Sequence, residues 1–229
     1  MYGTANDRMD NDDLVEFDPV KPLRVEDIIQ NLFNALFCDN DYGSEDYWNE
    51  RYSSEETKYE WFLNWPEFFL AIKPNIDIVY GDVLHIGCGN SEMSFDILEN
   101  GFSSVSSIDI SAVVIDQMKK KYADNQKLSW FTQDCRKLEF VDSLFDFVVE
   151  KGTIDAIYCS SDPEENIGKT MSEISRVMKE GACFISMSFA DIELRKSYIE
   201  ISSKFLHFSK NLTVSQFYVY IFFKKVTKE

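Results

Sequence analysis

Histidine occurs only twice in this 229-residue chain, and its five cysteines are scattered with no CxxC pair. His85 and His207 do not combine with Cys38, Cys88, Cys135, Cys159 and Cys183 into a ligand set of zinc or iron spacing, so no metal is expected. The thiols read as free and mostly buried, in a reducing compartment. Long apolar runs are missing too. Nothing approaches the about 18 consecutive apolar residues of a membrane helix, so no membrane association is expected. Residues 1–13 are polar and acidic, without the apolar centre of a signal peptide, which makes the cytoplasm the expected location. Positive charge is scarce: 23 Lys and Arg stand against 40 Asp and Glu, a formal charge of -17. Such a field repels nucleic acid, whose phosphates need concentrated cations, and it draws in a basic partner. Solubility alone is the plainer account of that charge.

What is present, 45% hydrophobic and 28% charged residues, describes one globular domain with an appendage. Residues 1–23 form an acidic tail expected to be flexible, with Asp7, Asp10, Asp12, Asp13, Glu16 and Asp18 against Arg8. In 24–44, Val25, Ile28, Ile29, Leu32, Phe33 and Leu36 recur at helical spacing, an amphipathic extension that packs on the domain or on a partner. The domain proper is expected over 45–229, its first part (45–70) an aromatic lid rich in Trp, Tyr and Phe, with Pro66 opening a helix.

Strands then alternate with helices. Strands are expected at 82–86, 105–108, 128–132, 145–150 and 183–188, and helices at 91–100, 111–122 and 164–178, with Gly101 and Gly181 as stops. This order predicts a doubly wound α/β domain with a mostly parallel sheet. Two aromatic runs, 205–208 and 217–223, predict a closing hairpin that turns at Ser209, Lys210 and Asn211.

One strand runs straight into Gly87-Cys88-Gly89-Asn90-Ser91 and then a helix. Gly87 permits a tight turn, and Gly89 lets a ligand approach the backbone. Alone, G-x-G is weak. Two spacings sharpen it. The third glycine of a dinucleotide fingerprint is replaced by Glu92, which would repel a pyrophosphate but tolerate an amino group or a sulfonium. Asp109 ends the next strand, placed to accept from both ribose hydroxyls. A phosphate-free nucleoside with an amino-acid tail fits both: S-adenosylmethionine, leaving S-adenosylhomocysteine as product. Asp134 and the Cys135 backbone, after the third strand, are placed for the adenine edge, although Asp134 also reads as a turn cap before Arg136. The fourth strand ends in Glu150-Lys151-Gly152-Thr153-Ile154-Asp155 at the same carboxyl edge, with capping by Thr153 as the competing account.

Five segments in order carry a resemblance: Tyr47-Trp48-Asn49-Glu50-Arg51-Tyr52, Tyr59-Glu60-Trp61-Phe62, Gly87-Cys88-Gly89-Asn90-Ser91, Ile108-Asp109-Ile110-Ser111, and Glu150 through Asp155. Together they resemble the eukaryotic methyltransferase-like group that includes lysine methyltransferases of translation elongation factor 1-alpha. The likeness runs over about 47–187. It implies a seven-stranded, Rossmann-like class I fold with an antiparallel last strand. It also implies cofactor contacts at Trp48, Tyr52, Trp61, Gly87, Asp109, Ile110, Asp134, Cys135 and Lys151, to which the loop reading adds Gly89. The aromatic faces of Trp48, Tyr52 and Trp61 suit a sulfonium; packing beneath the lid is the alternative. His85, where the group carries an aliphatic residue, reads as a satisfied core histidine.

The resemblance implies methyl transfer to a lysine of a basic protein such as elongation factor 1-alpha. Glu150 and Asp155 are candidates to orient or deprotonate the amine, and Lys151 to bind the cofactor's carboxylate or a backbone carbonyl. A small-molecule methyltransferase would share every cofactor residue. A non-catalytic binding module on the same scaffold is the rival of another class. An aminopropyltransferase lacks its polyamine carboxylates here, and Glu92 disfavours a nicotinamide dehydrogenase.

Overall fold

The computed structural model describes residues 41–54 and 60–226. The acidic tail, most of the amphipathic extension and Tyr59 lie outside the described residues. Helix α1 (Glu45–Ser54) leads into α2 (Trp65–Ile72), where Asn64 accepts from the Glu67 amide and Pro66 fills the first turn. The alternation follows: β1 (Asp82–Ile86), α3 (Met93–Glu99), β2 (Ser104–Asp109), α4 (Ala112–Lys121), β3 (Leu128–Thr132), β4 (Phe145–Lys151), α5 (Thr153–Tyr158), α6 (Pro163–Val177), β5 (Met178–Ser188), α7 (Lys196–Ser202), β6 (Leu206–Val214) and β7 (Phe217–Lys224).

The seven strands are ordered β3-β2-β1-β4-β5-β7-β6. The pairs among β1 to β5 are parallel, and β7 is antiparallel to both β5 and β6. Buried strands read as continuous apolar runs, and their alternation divides the core in two. Val83, Val149, Ile185 and Ile221 face one layer with residues of α2, α3 and α4. Leu84, Val148, Phe184 and Phe222 face the other with α5, α6 and α7. Order reverses at β1, whose neighbours are β2 on one side and β4 on the other, so a ligand crevice is expected at its carboxyl end.

Three local expectations are corrected. Strand β5 begins at Met178, five residues early, pairing with Phe145 before a register shift, and Gly181 (φ 76) lies inside the strand instead of stopping a helix. Ser209, Lys210 and Asn211 do not form the hairpin turn. They sit in the edge strand β6 beside a register shift between Phe208 and Lys210, and the turn lies at Ser215 (φ 59) and Gln216. An edge strand tolerates polar residues and a bulge, so composition there mimics a loop. Finally, Cys88, Cys135 and Cys183 are free and buried, but Cys159 is disulfide-bonded, against the expectation of free thiols. Among the described residues no helix is long and apolar enough to cross a membrane, and no cluster of His, Cys, Asp or Glu is arranged to hold a metal ion.

Candidate active site

A crevice of about 320 Å³ opens over the carboxyl ends of β1, β2 and β4. Its floor is the turn after β1. Gly87 (φ 62) could not carry a side chain: a Cβ would stand 1.9 Å from Thr153 Oγ1, whose hydroxyl donates to the Ile86 carbonyl at 3.1 Å. At Gly89 (φ 51) a Cβ would stand 2.7 Å from the Tyr52 hydroxyl. Glycine there thus serves the lid as well as the turn.

Asp109, 7% exposed at the end of β2, accepts from the Gly89 amide and from the Ser111 amide, each at 2.9 Å. Burial pushes its carboxyl up to about 6, while the amides of Ser111, Gly89 and Ile110 restrain it. A carboxylate offers about four acceptor sites, so these bonds leave capacity for further donors. Ser111 caps α4 and donates to Asn49 Oδ1 at 2.7 Å, and Gln117 donates to the Tyr52 carbonyl at 2.9 Å; both tie α1 down over this edge.

Beyond β3, Asp134 accepts from the Arg136 amide and its guanidinium at 2.9 Å. Partial burial works against its ionisation, but the Arg136 bonds prevail and hold it below the ordinary carboxylate range. Asp134 is therefore a turn cap and a crevice residue at once. Cys135 is buried beside it, its thiol pushed up to about 12 by burial, which leaves the side chain inert as a nucleophile.

The fourth strand separates residues that adjoin in sequence. Successive side chains of a strand point to opposite faces, so Lys151 enters the crevice while Glu150 turns beneath it. Lys151 donates to the Trp61 carbonyl and to the Glu60 carboxylate. Glu150 is fully buried and does not line the crevice. It faces its cross-strand partner Ser186, whose hydroxyl donates to it, and accepts from the amides of Thr153 at 2.8 Å and Ile154 at 3.2 Å. Burial raises its carboxyl to about 8. Asp155 does line the crevice. It accepts from the Ser188 hydroxyl at 2.6 Å and the Phe189 amide at 3.2 Å, and pairs with the buried Arg195, whose guanidinium lies 4.1 Å from the Tyr158 ring centroid. The two candidate acids are thus unlike: one supports the loop, the other reaches the cavity.

Trp48, Tyr52 and Trp61 line the crevice from the lid. They also pack on one another: Trp48 and Tyr52 stack at 5.7 Å, Trp48 meets Trp61 edge-on at 6.5 Å, and the Arg51 guanidinium lies 5.2 Å from the Trp61 centroid. The packing reading of these aromatics is thus observed, and their place on the crevice wall leaves the three rings facing the cavity. Phe62 follows with φ 63, a strained backbone beside the cavity. His85 is buried, hydrogen-bonded to Ser94 at 2.7 Å, and lowered to about 3 by burial, so it is a neutral core residue reaching the crevice wall.

Two site features differ from the sequence reading. Glu92 does not face the crevice; it begins α3 and its carboxylate turns outward to Lys121 at 3.0 Å, so it carries no discrimination against phosphate. Glu60, to which the sequence reading gives no role of its own, lines the crevice, paired with Lys151 and accepting from the Ser91 hydroxyl at 2.9 Å on both oxygens. Its sequence signal was its place in the Tyr-Glu-Trp-Phe segment; nothing in one dimension shows that segment folding back onto β4.

Residues 83–181 match a family model described as a methyltransferase domain. The chain is 35% identical over 164 residues to EEF1A lysine methyltransferase 4 of Mus musculus, covering 67% of this chain and 64% of that protein. It is 33% identical over 169 residues to the eEF1A lysine and N-terminal methyltransferase of the same organism, covering 69% of this chain and 23% of that one. The alignments therefore span less than two thirds of these relatives' lengths. Among solved structures, the N-methyltransferase NodS of Bradyrhizobium japonicum in complex with S-adenosyl-l-homocysteine aligns with a TM-score of 0.58 at 15% identity, covering 81% of this chain and 99% of NodS. A TehB-like SAM-dependent methyltransferase of Corynebacterium glutamicum aligns with a TM-score of 0.57 at 15% identity, covering 79% and 98%. The fold is that of the Rossmann-like class I methyltransferases.

Proposed function

We propose that this chain is an S-adenosylmethionine-dependent methyltransferase acting on a lysine of a basic protein, elongation factor 1-alpha being the candidate its relatives' names suggest. One observation carries the cofactor assignment: a glycine turn at the switch point stands between a buried carboxylate, Asp109, and a buried ammonium, Lys151. The donor set fits a phosphate-free nucleoside. The crevice cations Lys151 and Arg136 each stand beside a carboxylate, Glu60 and Asp134, so the lining offers no cluster of like positive charge for a pyrophosphate, while a neighbouring pair of opposite charges still matches a zwitterion. Asp109 would hold the ribose hydroxyls, Ile110, Asp134 and the Cys135 backbone the adenine, Gly87 and Gly89 the sugar-to-sulfur span, and Trp48, Tyr52 and Trp61 the sulfonium side.

When bound, S-adenosylmethionine supplies a methyl group on a cationic sulfur. The chain's own task is to align an amine with it and to receive a proton, since a lysine of pKa about 10.4 arrives charged. Asp155 is our candidate for orienting or deprotonating that amine, because it reaches the crevice with its position fixed by Arg195 and Ser188. Glu150 acts from below, capping α5 and so fixing the Lys151–Asp155 turn. The net charge of -17 favours encounter with a basic protein, and this reading places the chain in the cytoplasm with the translation machinery.

Incubating the protein with labelled S-adenosylmethionine and a cell extract, followed by mass spectrometry, tests the proposal. Label on a lysine of elongation factor 1-alpha is expected. Label confined to metabolites would replace it with the small-molecule reading, and no transfer together with no cofactor binding would leave a non-catalytic module.

A further inference from the structure

Glu60 and Lys151 meet at the β4 end of the crevice with side chains 21% and 4% exposed. Withdrawing two ions from water is costly, and their attraction only partly offsets it. The lid has an apolar anchor beside the pair as well, since the Phe62 ring lies over Gly152, 3.3 Å from where a Cβ there would sit. Opposite charges held side by side in a cleft complement a zwitterion.

The surrounding groups single out Glu60. Four carboxylates line the crevice among the described residues: Glu60, Asp109, Asp134 and Asp155. Asp134 is engaged by Arg136, Asp155 by Arg195, and Asp109 by backbone amides at the opposite end. Of these four, only Glu60 pairs with the lysine at the end of β4, across β1 from Asp109. Its orientation is set from the protein side, because Ser91 accepts from the Met93 amide at 3.0 Å and donates to Glu60. Asp109 and Lys151 end strands two positions apart across β1, a span of about 10 Å that accommodates a nucleoside with its tail.

Resting on the methyltransferase reading, we propose that Glu60 and Lys151 form a clamp for the cofactor's amino-acid head, Glu60 taking the α-ammonium and Lys151 the α-carboxylate. Glu60 is thereby the residue that selects ligands bearing a free amino group. The lid segment then senses the cofactor directly, since the Lys151 ammonium also holds the Trp61 carbonyl.

Calorimetric titration of the full chain tests this with three ligands: S-adenosylhomocysteine, 5′-methylthioadenosine (no amino-acid head) and decarboxylated S-adenosylmethionine (amine without carboxylate). Glu60→Gln should weaken S-adenosylhomocysteine about 10- to 100-fold, as loss of one charged hydrogen bond does, while 5′-methylthioadenosine stays within about threefold. Lys151→Met should weaken S-adenosylhomocysteine but spare the decarboxylated ligand. Retained binding of 5′-methylthioadenosine shows that each variant is folded. Equal weakening of S-adenosylhomocysteine and 5′-methylthioadenosine by Glu60→Gln, or weakening of neither, overturns the clamp. A wild-type chain that binds none of the three overturns the methyltransferase reading, and the clamp with it.

Discussion

In its proposed role as acceptor for the ribose hydroxyls, Asp109 would make cofactor binding sensitive to pH within an accessible range. Its carboxyl is raised to about 6 by burial, and only the ionised form can accept donors on both oxygens while keeping the Gly89 and Ser111 amide bonds. With a pKa of about 6, about 3% is protonated at pH 7.5 and about 91% at pH 5.0, so affinity for S-adenosylhomocysteine should fall about elevenfold, or ~1.4 kcal/mol. Stability moves the other way. A carboxyl raised in the folded state contributes stability that is complete below the unfolded value of 3.8 and is lost as pH rises through about 6. Weaker binding at pH 5.0 is therefore not an unfolding artefact of this group. Asp109→Asn should bind more weakly than wild type at pH 7.5 and show no change of affinity between the two pH values, because the amide does not titrate and must set an N–H against one of the two backbone donors. Isothermal titration at both pH values measures this. A flat wild-type profile, or an Asn variant that tracks the wild type, would refute the role given to Asp109.

Other expectations follow from the same geometry. Gly89→Ala places a Cβ at φ 51 and 2.7 Å from the Tyr52 hydroxyl, and the left-handed backbone alone costs ~1–2 kcal/mol, a melting-point loss of about 2–8 °C for a chain of this size; an unchanged melting curve counts against the lid contact. Glu150, raised to about 8, contributes stability that is complete below 4.5 and lost as pH rises through about 8. Urea unfolding should show wild type weakening from about pH 5 to about 8 and levelling off above, and Glu150→Gln should reduce that loss; parallel losses in both proteins contradict the assignment. Arg195→Met strands Asp155 as a buried charge and should destabilise by ~3–5 kcal/mol, recovered in part by adding Asp155→Asn. Denaturation midpoints of the two variants decide it.

Much of this was legible in sequence because the informative signals are local. The strand-glycine-helix turn at Gly87 and Gly89, and the acid ending the next strand, are short-range patterns that the sheet then brings together. Ten residues named from sequence as cofactor contacts, from Trp48 to Lys151, all line the crevice. What escaped depends on the third dimension. Glu150 and Lys151 read as a pair although strand periodicity sends them to opposite faces. Glu92 read as a ligand selector, yet its helix start turns it toward Lys121. Glu60 gained its place only when the lid folded across 91 positions of chain to meet Lys151. The polar Ser209–Asn211 stretch imitates a turn because an exposed edge strand selects the same residue types.

A structure of the chain with S-adenosylhomocysteine tests the central claim most directly. The account places the ribose hydroxyls on Asp109, the adenine beside Asp134 and Cys135, and the amino-acid head between Glu60 and Lys151. A crevice without ligand beside Gly87 and Asp109 at saturating concentration, or the nucleoside bound elsewhere on the chain, would contradict it.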